Sequence, residues 1–147
     1  MIRLATAADI PRLVEMGSRS LLNGPYKDKI KDNPQAAAEL GFAIIEDQKG
    51  LVIVAEEDGK VIGLLALAIF PHYFTKELTA AEVMWYVEPE HRQSLTALCL
   101  FRRGEQEARR AGCTTMQFTA PTEQVAKAYE KLGYEAIEVA YRKNLVS

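Results

Sequence analysis

The chain has 147 residues, of which 48% are hydrophobic and 26% are charged, and its formal net charge is -2 at pH 7. These values are typical of a soluble globular protein, and they predict a single domain over residues 1–147. The net charge of -2 argues against a non-specific nucleic-acid-binding protein, which usually has an excess of basic residues. No apolar run reaches the roughly 20 residues that are needed to cross a bilayer.

Apolar spacing and turn residues predict elements in the order β, α, α, β, β, β, α, β, α, β. The predicted strands span 2–5, 51–56, 60–70, 82–87, 114–119 and 137–142. The first predicted helix is capped by Thr6 or Asp9 and ends at Asn23, and the others span 34–49, 93–111 and 122–132. In the last strand Ile137, Val139 and Tyr141 alternate with polar or small residues. This order predicts a mixed α/β (α+β) fold with helices packed against one sheet, and not a repeating βαβ fold.

The junction between the strand over 82–87 and the following helix is the most informative segment. The chain passes through Pro89 and the basic Arg92 directly into a helix predicted to begin near Gln93. The first N–H groups of a helix have no partner within it, and the positive end of the helix dipole lies behind them. The junction therefore predicts a site for a phosphate or pyrophosphate group.

The two cysteines, Cys99 and Cys113, have neither metal-ligand spacing nor the pattern of a disulfide framework. No signal peptide is visible at the start of the chain. Together these features predict a cytoplasmic protein that uses no metal.

Three segments together resemble the GNAT superfamily of acyl-CoA-dependent N-acyltransferases, and the similarity covers nearly the whole chain. Residues 2–11 are similar to the family's first strand and helix start, and residues 87–97 resemble its strand-to-helix turn. The segment Ala128-Tyr129-Glu130-Lys131-Leu132-Gly133-Tyr134 matches the family's Y-E-K-x-G-F/Y pattern. The chain thus resembles a divergent member of the kind that phage and bacterial genomes carry.

The resemblance implies the GNAT fold, a mostly antiparallel mixed sheet flanked by about four helices. It also implies an N-acetyltransferase that moves an acetyl group from acetyl-CoA to a primary amine by direct attack in a ternary complex. The pantetheine arm would lie in a gap between the strands over 82–87 and 114–119. The cofactor-binding residues implied in this way are Tyr86, Val87, Arg92, Gln93, Ser94, Leu95, Thr96, Ala97, Leu98 and Thr122.

Two residues depart from the family pattern. Leu95 stands where the family prefers glycine, and Thr122 stands where an asparagine often contacts the pantetheine. Glycine allows a close backbone approach to the pyrophosphate, whereas leucine adds bulk to the loop. The alternative is therefore a catalytically weak or inactive GNAT-fold module that binds acyl-CoA or a protein partner.

Two residues are candidates for the acid and base of acetyl transfer. Tyr129, in the matched motif, would protonate or hydrogen-bond the departing thiolate. Glu82 would take the proton of the amine, directly or through water. In the competing interpretations, Tyr129 only caps the core beside Tyr134, and Glu82 only pairs with a surface cation.

The amine acceptor cannot be read from the sequence, because the loops that would bind it have mixed chemistry. His72, Tyr73 and Tyr26 are the candidates for acceptor binding, and they lie in the segments before the strand over 82–87 and after the first helix. Neither a nucleic acid nor a membrane is expected as a partner. Homodimer formation is common in the family, so a homodimer is a further expectation.

Overall fold

The structure, a computed structural model, describes residues 1–146. Its strands are β1 (Ile2–Leu4), β2 (Gly50–Glu57), β3 (Lys60–Pro71), β4 (Leu78–Val87) and β5 (Thr115–Gln117). Its helices are α1 (Ile10–Asn23), α2 (Pro34–Ile45), α3 (Thr96–Arg110) and α4 (Glu123–Lys131). Short 3-10 turns over Ala7–Asp9 and Pro89–His91 precede α1 and α3.

The strands form one sheet in the order β1-β2-β3-β4-β5. Neighbours from β1 to β4 are antiparallel, and β5 runs parallel to β4. Asp58 and Gly59 have φ values of 51° and 77°, the left-handed conformation that a tight turn between β2 and β3 requires. The prediction of a mixed, mostly antiparallel sheet with four flanking helices is confirmed.

Both faces of the sheet are buried, which explains why β2 and β3 are nearly continuous apolar runs. On one face Ile53, Leu65 and Leu67 pack with Leu100 and Ala108 of α3. On the other face Val52, Val54 and Leu64, which alternate with those residues, pack with Met16 of α1 and Ile44 of α2. The helices therefore form a layer on each side of the sheet.

The third helix lies unusually close to the sheet. A Cβ atom added to Gly104 would stand only 2.6 Å from the Leu65 side chain, so the glycine makes this approach possible. Phe101 and Ala108, which share that helix face, are fully buried. Among residues 1–146, no helix has both the length and the apolar character needed to cross a membrane.

Several predicted boundaries are wrong. β4 begins at Leu78 and not at residue 82, because Thr79 and Ala80 pair with both β3 and β5 and are buried. α3 begins at Thr96, so residues 93–95 form a turn and not helix. α2 ends at Ile45, and Gly50 is the first residue of β2.

The strand predicted over residues 137–142 is also wrong. Residues 135–146 have no regular secondary structure and make no main-chain to main-chain hydrogen bond within the described residues. A strand needs a hydrogen-bonded neighbour, and alternation of apolar residues does not supply one.

Candidate active site

The second half of β4 separates from β5 after a bulge. Opposite β3, Leu67 pairs with Glu82 and Ala66 pairs with Met84, so Val83 is an extra residue in β4. Such a bulge bends its strand and re-aims the side chains beside it. The parallel pairing of β4 with β5 ends at Ala81, and a gap opens between the two chain segments from there on.

A cleft of about 480 Å³ lies at the wide end of this gap. Its walls come from the end of α1, the end of β4, the turn before α3 and the start of α4. The lining residues are Ser20, Asn23, Gly24, Pro25, Tyr86, Arg92, Pro121 and Thr122. The structure thus brings together Tyr86, Arg92 and Thr122, three residues from separate segments that were predicted to bind the cofactor.

The turn before α3 presents unpaired backbone donors. The N–H of Ser94 donates to the His91 carbonyl at 3.3 Å, and the N–H of Thr96 donates to Ser94 Oγ at 3.2 Å. The N–H groups at the four other positions have no acceptor within the described residues: Gln93, Leu95, Ala97 and Leu98. A cluster of free donors at the start of a 15-residue helix suits the oxygens of a pyrophosphate.

Leucine at position 95 is compatible with the backbone of this turn. Leu95 has φ -81° and ψ 5°, a conformation open to any residue, so the conformational freedom of glycine is not needed here. Its side chain is 72% exposed. The remaining difference from glycine is the bulk that the side chain adds next to the free donors.

The side chain of Arg92 is folded back onto the end of β4. Its Nε donates to the Val87 carbonyl at 2.7 Å, and its guanidinium carbon lies 5.2 Å from the centroid of the Tyr86 ring. The second contact is a cation–π interaction. Arg92 therefore occupies the Val87 carbonyl, a main-chain acceptor at the edge of the gap. The sequence pattern did not predict this contact.

A buried carboxylate after β4 fixes α1 against the cleft. Glu88 is buried and forms ion pairs with Arg19 and Arg12 of α1. Arg12 also donates to the Val61 carbonyl at 3.0 Å. These contacts hold α1 beside the end of β4, and the last turn of this helix provides Ser20 and Asn23 to the cleft. Neither of these lining residues was among the predicted site residues, although the end of α1 was predicted at Asn23.

Glu82 bridges the start of the gap. Its Oε1 accepts a hydrogen bond from the Thr119 N–H at 3.0 Å, across the point where β4 and β5 separate. Burial of the side chain raises the pKa of Glu82, while the hydrogen bond from Thr119 acts in the opposite direction. No ion pair to Glu82 exists within residues 1–146, so the interpretation as a partner of a surface cation finds no support.

Tyr129 contacts Thr119, the residue that also donates to Glu82. It is only 8% exposed, and its hydroxyl donates to the Thr119 carbonyl at 3.2 Å. Burial and the nearby Glu82 carboxylate raise the pKa of Tyr129 above its ordinary range. Its ring stacks on Trp85, with the centroids 6.1 Å apart and an interplanar angle of 21°.

Trp85 belongs to an aromatic cluster beneath the gap. Its ring also stacks on Phe101 at 5.6 Å and meets Phe118 edge-on at 5.7 Å. Trp85 therefore packs among the aromatic residues of the core. Its indole N–H is buried and has no hydrogen-bond partner within the described residues.

Thr122 combines a structural contact with a place at the cleft. It is the N-cap of α4, and its side-chain oxygen accepts from the Val125 N–H at 3.2 Å. An N-cap of this kind satisfies one unpaired donor of the helix. The hydroxyl proton of Thr122 remains available, so this residue retains a donor where the family often has an asparagine.

The candidates for acceptor binding do not meet in one place. His72 and Tyr73 lie in the connection between β3 and β4, whereas the cleft lies at the opposite end of β4. Tyr73 is 89% exposed, and His72 lines a separate cavity of about 180 Å³ with Thr79 and Thr115. Tyr26 is half-exposed and directly follows Pro25, which lines the cleft.

No cluster of three or more His, Cys, Asp or Glu side chains suitable for a metal ion occurs in residues 1–146. The donors around the cleft are backbone N–H groups, hydroxyls, the Asn23 amide and one arginine. Such donors suit an anionic, phosphate-bearing ligand.

Comparison with known proteins identifies a family with this architecture. The model of the acetyltransferase (GNAT) family matches residues 19–134. No curated protein matches the sequence.

Solved structures share the fold over essentially the whole chain. A predicted acetyltransferase with acetyl-CoA from Clostridium acetobutylicum superposes with a TM-score of 0.80 at 22% identity, covering 99% of this chain and 96% of that one. An aminoglycoside 6'-N-acetyltransferase from Acinetobacter haemolyticus gives 0.74 at 21% identity, with 100% and 99% covered. A ribosomal-protein-alanine N-acetyltransferase from Brucella melitensis gives 0.72 at 19% identity, with 99% of both chains covered.

Proposed function

The chain belongs to the acetyltransferase (GNAT) family, and we propose that it transfers an acetyl group from acetyl-CoA to a primary amine by direct attack in a ternary complex. One observation carries the proposal: the gap between β4 and β5 has free phosphate-binding donors at its wide end and Glu82 and Tyr129 at its narrow end. We also propose that the reaction takes place in the cytoplasm.

Acetyl-CoA supplies an activated acetyl thioester when it is bound. The free N–H groups of Gln93, Leu95, Ala97 and Leu98 would hold its pyrophosphate. Arg92, once released from Val87, would add positive charge beside them, with Ser94 and Thr96 shaping the turn. Thr122 and Tyr86 would line the path of the pantetheine arm.

The main chain of Val87 faces the gap. The N–H of Glu88 donates to the Ile62 carbonyl of β3, and main-chain groups alternate in direction along a strand. The N–H of Val87 therefore points away from β3, toward the gap. It is the donor we propose for the thioester carbonyl oxygen, where negative charge develops during acyl transfer.

Glu82 would accept the proton that the ammonium loses before attack, and Tyr129 would stabilise the thiolate as the C–S bond breaks; the second proton that the nitrogen loses would pass to that thiolate. An amine with a pKa near 10 arrives protonated, and the carboxylate of Glu82 would take that proton, directly or through water. Tyr129 would donate a hydrogen bond to the leaving thiolate in place of its present bond to Thr119. Because burial raises the pKa of Tyr129, hydrogen-bond donation is favoured over full proton transfer.

Acceptor binding is proposed for Tyr26, which lies next to the cleft. A polypeptide acceptor that extended along β4, a strand of about 33 Å, would also meet His72 and Tyr73. The structural neighbours include enzymes named for aminoglycosides and for a ribosomal-protein alanine. Both kinds of amine therefore belong in a first acceptor panel.

A second candidate function is a GNAT-fold module that binds acyl-CoA or a protein partner without turnover. Two observations favour it: the bulk of Leu95 beside the free donors, and the bond from Arg92 that occupies the Val87 carbonyl. Both would weaken acetyl-CoA binding, and neither touches Glu82 or Tyr129.

Calorimetric titration with acetyl-CoA and with free CoA is the deciding experiment. Micromolar binding, about -8 kcal/mol, is expected, followed by CoA release when amines from the panel are added. Ala97→Glu, which places a carboxylate among the donors, should abolish binding, whereas the neutral Ala97→Gln should preserve it. Binding without turnover against any amine would favour the module. No binding at millimolar ligand would refute both functions based on acyl-CoA.

A further inference from the structure

The guanidinium group of Arg92 lies at the cleft without a carboxylate partner. Its Nε donates to the Val87 carbonyl at 2.7 Å, and no carboxylate of residues 1–146 forms an ion pair with it. Glu88, which follows Val87, is paired with two arginines of α1 instead. A guanidinium binds a phosphate group through two parallel N–H donors, whereas the Val87 carbonyl engages only one donor. A bound phosphate would therefore compete effectively for Arg92.

The carbonyl that Arg92 contacts faces the gap between β4 and β5. The Glu88 N–H is bonded to the Ile62 carbonyl of β3, so the N–H and the carbonyl of Val87 both point away from β3. A pantetheine arm that lay along β4 would need such carbonyls as acceptors for its amide N–H groups. While Arg92 stays on Val87, this acceptor is filled and the guanidinium carbon lies 5.2 Å from the centroid of the Tyr86 ring, which lines the same cleft.

Arg92 also directly precedes the free donors of the turn before α3. The N–H of Gln93, the next residue, is one of the donors without an acceptor in the described part of the chain. Arg92 is exposed, so its side chain can turn toward an anion at these donors by rotation about its own χ angles. The Val87 carbonyl and a pyrophosphate on the turn are thus alternative partners for one side chain.

We propose that the Arg92–Val87 contact makes the gap selective for ligands that carry a pyrophosphate group. In the free protein the contact keeps the Val87 carbonyl from the pantetheine arm, and a pyrophosphate at the start of α3 draws Arg92 away and frees that carbonyl. The inference rests on the proposed binding of acetyl-CoA, and it adds that the same arm without its pyrophosphate binds poorly. Because coupling between two ligands is reciprocal, inorganic pyrophosphate and pantetheine should strengthen each other's binding when they are added as separate molecules.

Titration of the wild-type protein with pantetheine, followed by NMR, tests this coupling. Saturating inorganic pyrophosphate should lower the dissociation constant of pantetheine by about 10-fold. The Nε–H resonance of Arg92, identified by its absence in an Arg92→Met variant, should shift when pyrophosphate alone is added. Pantetheine alone should not shift it, because the contact with Val87 then persists.

The Arg92→Met variant should change the affinities for two related ligands in opposite directions. Pantetheine should bind about 10-fold more tightly than it binds the wild type, with or without pyrophosphate, because the Val87 carbonyl is permanently free. CoA should bind about 3- to 10-fold more weakly, because its pyrophosphate loses a guanidinium partner. Circular dichroism checks that the variant is folded.

Arg102→Met is the matched control. It removes the same charge from an exposed position of α3, and Arg102 forms no ion pair within the described residues. This variant should change neither the affinity for pantetheine nor its increase with pyrophosphate. An equal response in the Arg102 and Arg92 variants would assign the effect to net charge and overturn the proposal.

Two further results would overturn the proposal. If CoA and pantetheine both bound Arg92→Met more weakly, Arg92 would support the arm and not obstruct it. If pantetheine bound Arg92→Met no better than the wild type and pyrophosphate had no effect, Arg92 would be a phosphate ligand only.

Failure of the proposed acetyl transfer gives a different result. Coupling as expected without acetylation of any amine would refute the enzyme and leave the role of Arg92 in place. Acetylation without coupling would refute the role of Arg92 alone. A protein that bound no CoA at millimolar concentration would refute both.

Discussion

Glu82 and Tyr129 are connected through the backbone of a single residue, Thr119. The Thr119 N–H donates to the carboxylate of Glu82 at 3.0 Å, and the Thr119 carbonyl accepts from the Tyr129 hydroxyl at 3.2 Å. The candidate base and the candidate acid are therefore fixed relative to each other by one peptide segment just beyond β5. A change at either residue should affect the chemistry more than the fold.

Tyr129→Phe should lower kcat by about 100-fold, because the leaving thiolate loses its hydrogen-bond donor. The dissociation constant for acetyl-CoA, measured by calorimetry, should change less than about 3-fold, since the ring and its stacking on Trp85 remain.

Tyr134→Phe is the matched control for that variant. It removes a hydroxyl from the same aromatic cluster, but one that donates to Glu105 and not to Thr119. Its kcat should stay close to that of the wild type. Equal losses in the two variants would show that the cluster contributes only stability.

Glu82→Gln should remove the acidic limb of the pH profile of kcat/KM and lower its plateau by about 100-fold or more. The active form is the carboxylate, and burial raises the pKa of Glu82. The wild-type rate should therefore fall, as pH decreases, at a higher pH than the usual glutamate value of about 4.3.

The loss of rate at low pH should not reflect unfolding at this residue. A folded-state pKa above the unfolded value means that protonation of Glu82 favours the fold as pH falls through it. Circular dichroism across the limb should thus remain constant. Glu130→Gln, at an exposed position next to Tyr129, should leave the acidic limb in place. If the acidic limb disappeared in the Glu130→Gln variant, Glu82 would not be the base whose titration produces it.

Leu95→Gly should strengthen acetyl-CoA binding by about 3- to 10-fold, or ~0.6–1.4 kcal/mol, because it clears the space next to the free donors. Leu95→Ala should give most of the same gain, since the backbone at this position does not need glycine. Titration calorimetry compares the three proteins directly. If glycine strengthens binding and alanine does not, the turn must change its backbone conformation when it binds the ligand.

Gly50→Ala should destabilise the protein by about 1–3 kcal/mol, as overpacking does. A Cβ atom at Gly50 would lie 2.0 Å from the Leu67 carbonyl oxygen, so β2 and β3 would have to separate there. Gly41→Ala is the matched control, because its Cβ would make only ordinary contacts with Ile10 and the helix gains propensity. Urea unfolding of both variants measures the difference, and equal stabilities would contradict this explanation of Gly50.

Most of the fold could be predicted because local signals marked its elements. Asn33 caps α2 through its side chain, and Asp58-Gly59 forms the turn between β2 and β3, as the sequence indicated. The start of β4 could not be predicted, because the burial of Thr79 and Ala80 results from pairing with distant segments, which one strand-favouring threonine does not indicate.

The sequence predicted several residues of the candidate site, but not the tertiary contacts between them. The pattern around Arg92 placed donors before α3, but nothing local shows that this side chain turns back to the Val87 carbonyl. Likewise the ion pairs of Glu88 with α1 join residues more than 60 positions apart. Such contacts depend on tertiary packing, which spacing along the chain does not report.

Trp85 lies beneath the gap, so its fluorescence can report changes there. It is the only tryptophan of the chain, and its ring stacks directly on Tyr129 while its indole N–H has no partner among residues 1–146. Movement of Tyr129 away from Thr119 would change the environment of that single fluorophore. The protein thus contains an intrinsic spectroscopic probe of its own candidate acid, and stopped-flow emission could follow each ligand as it arrives without any added label.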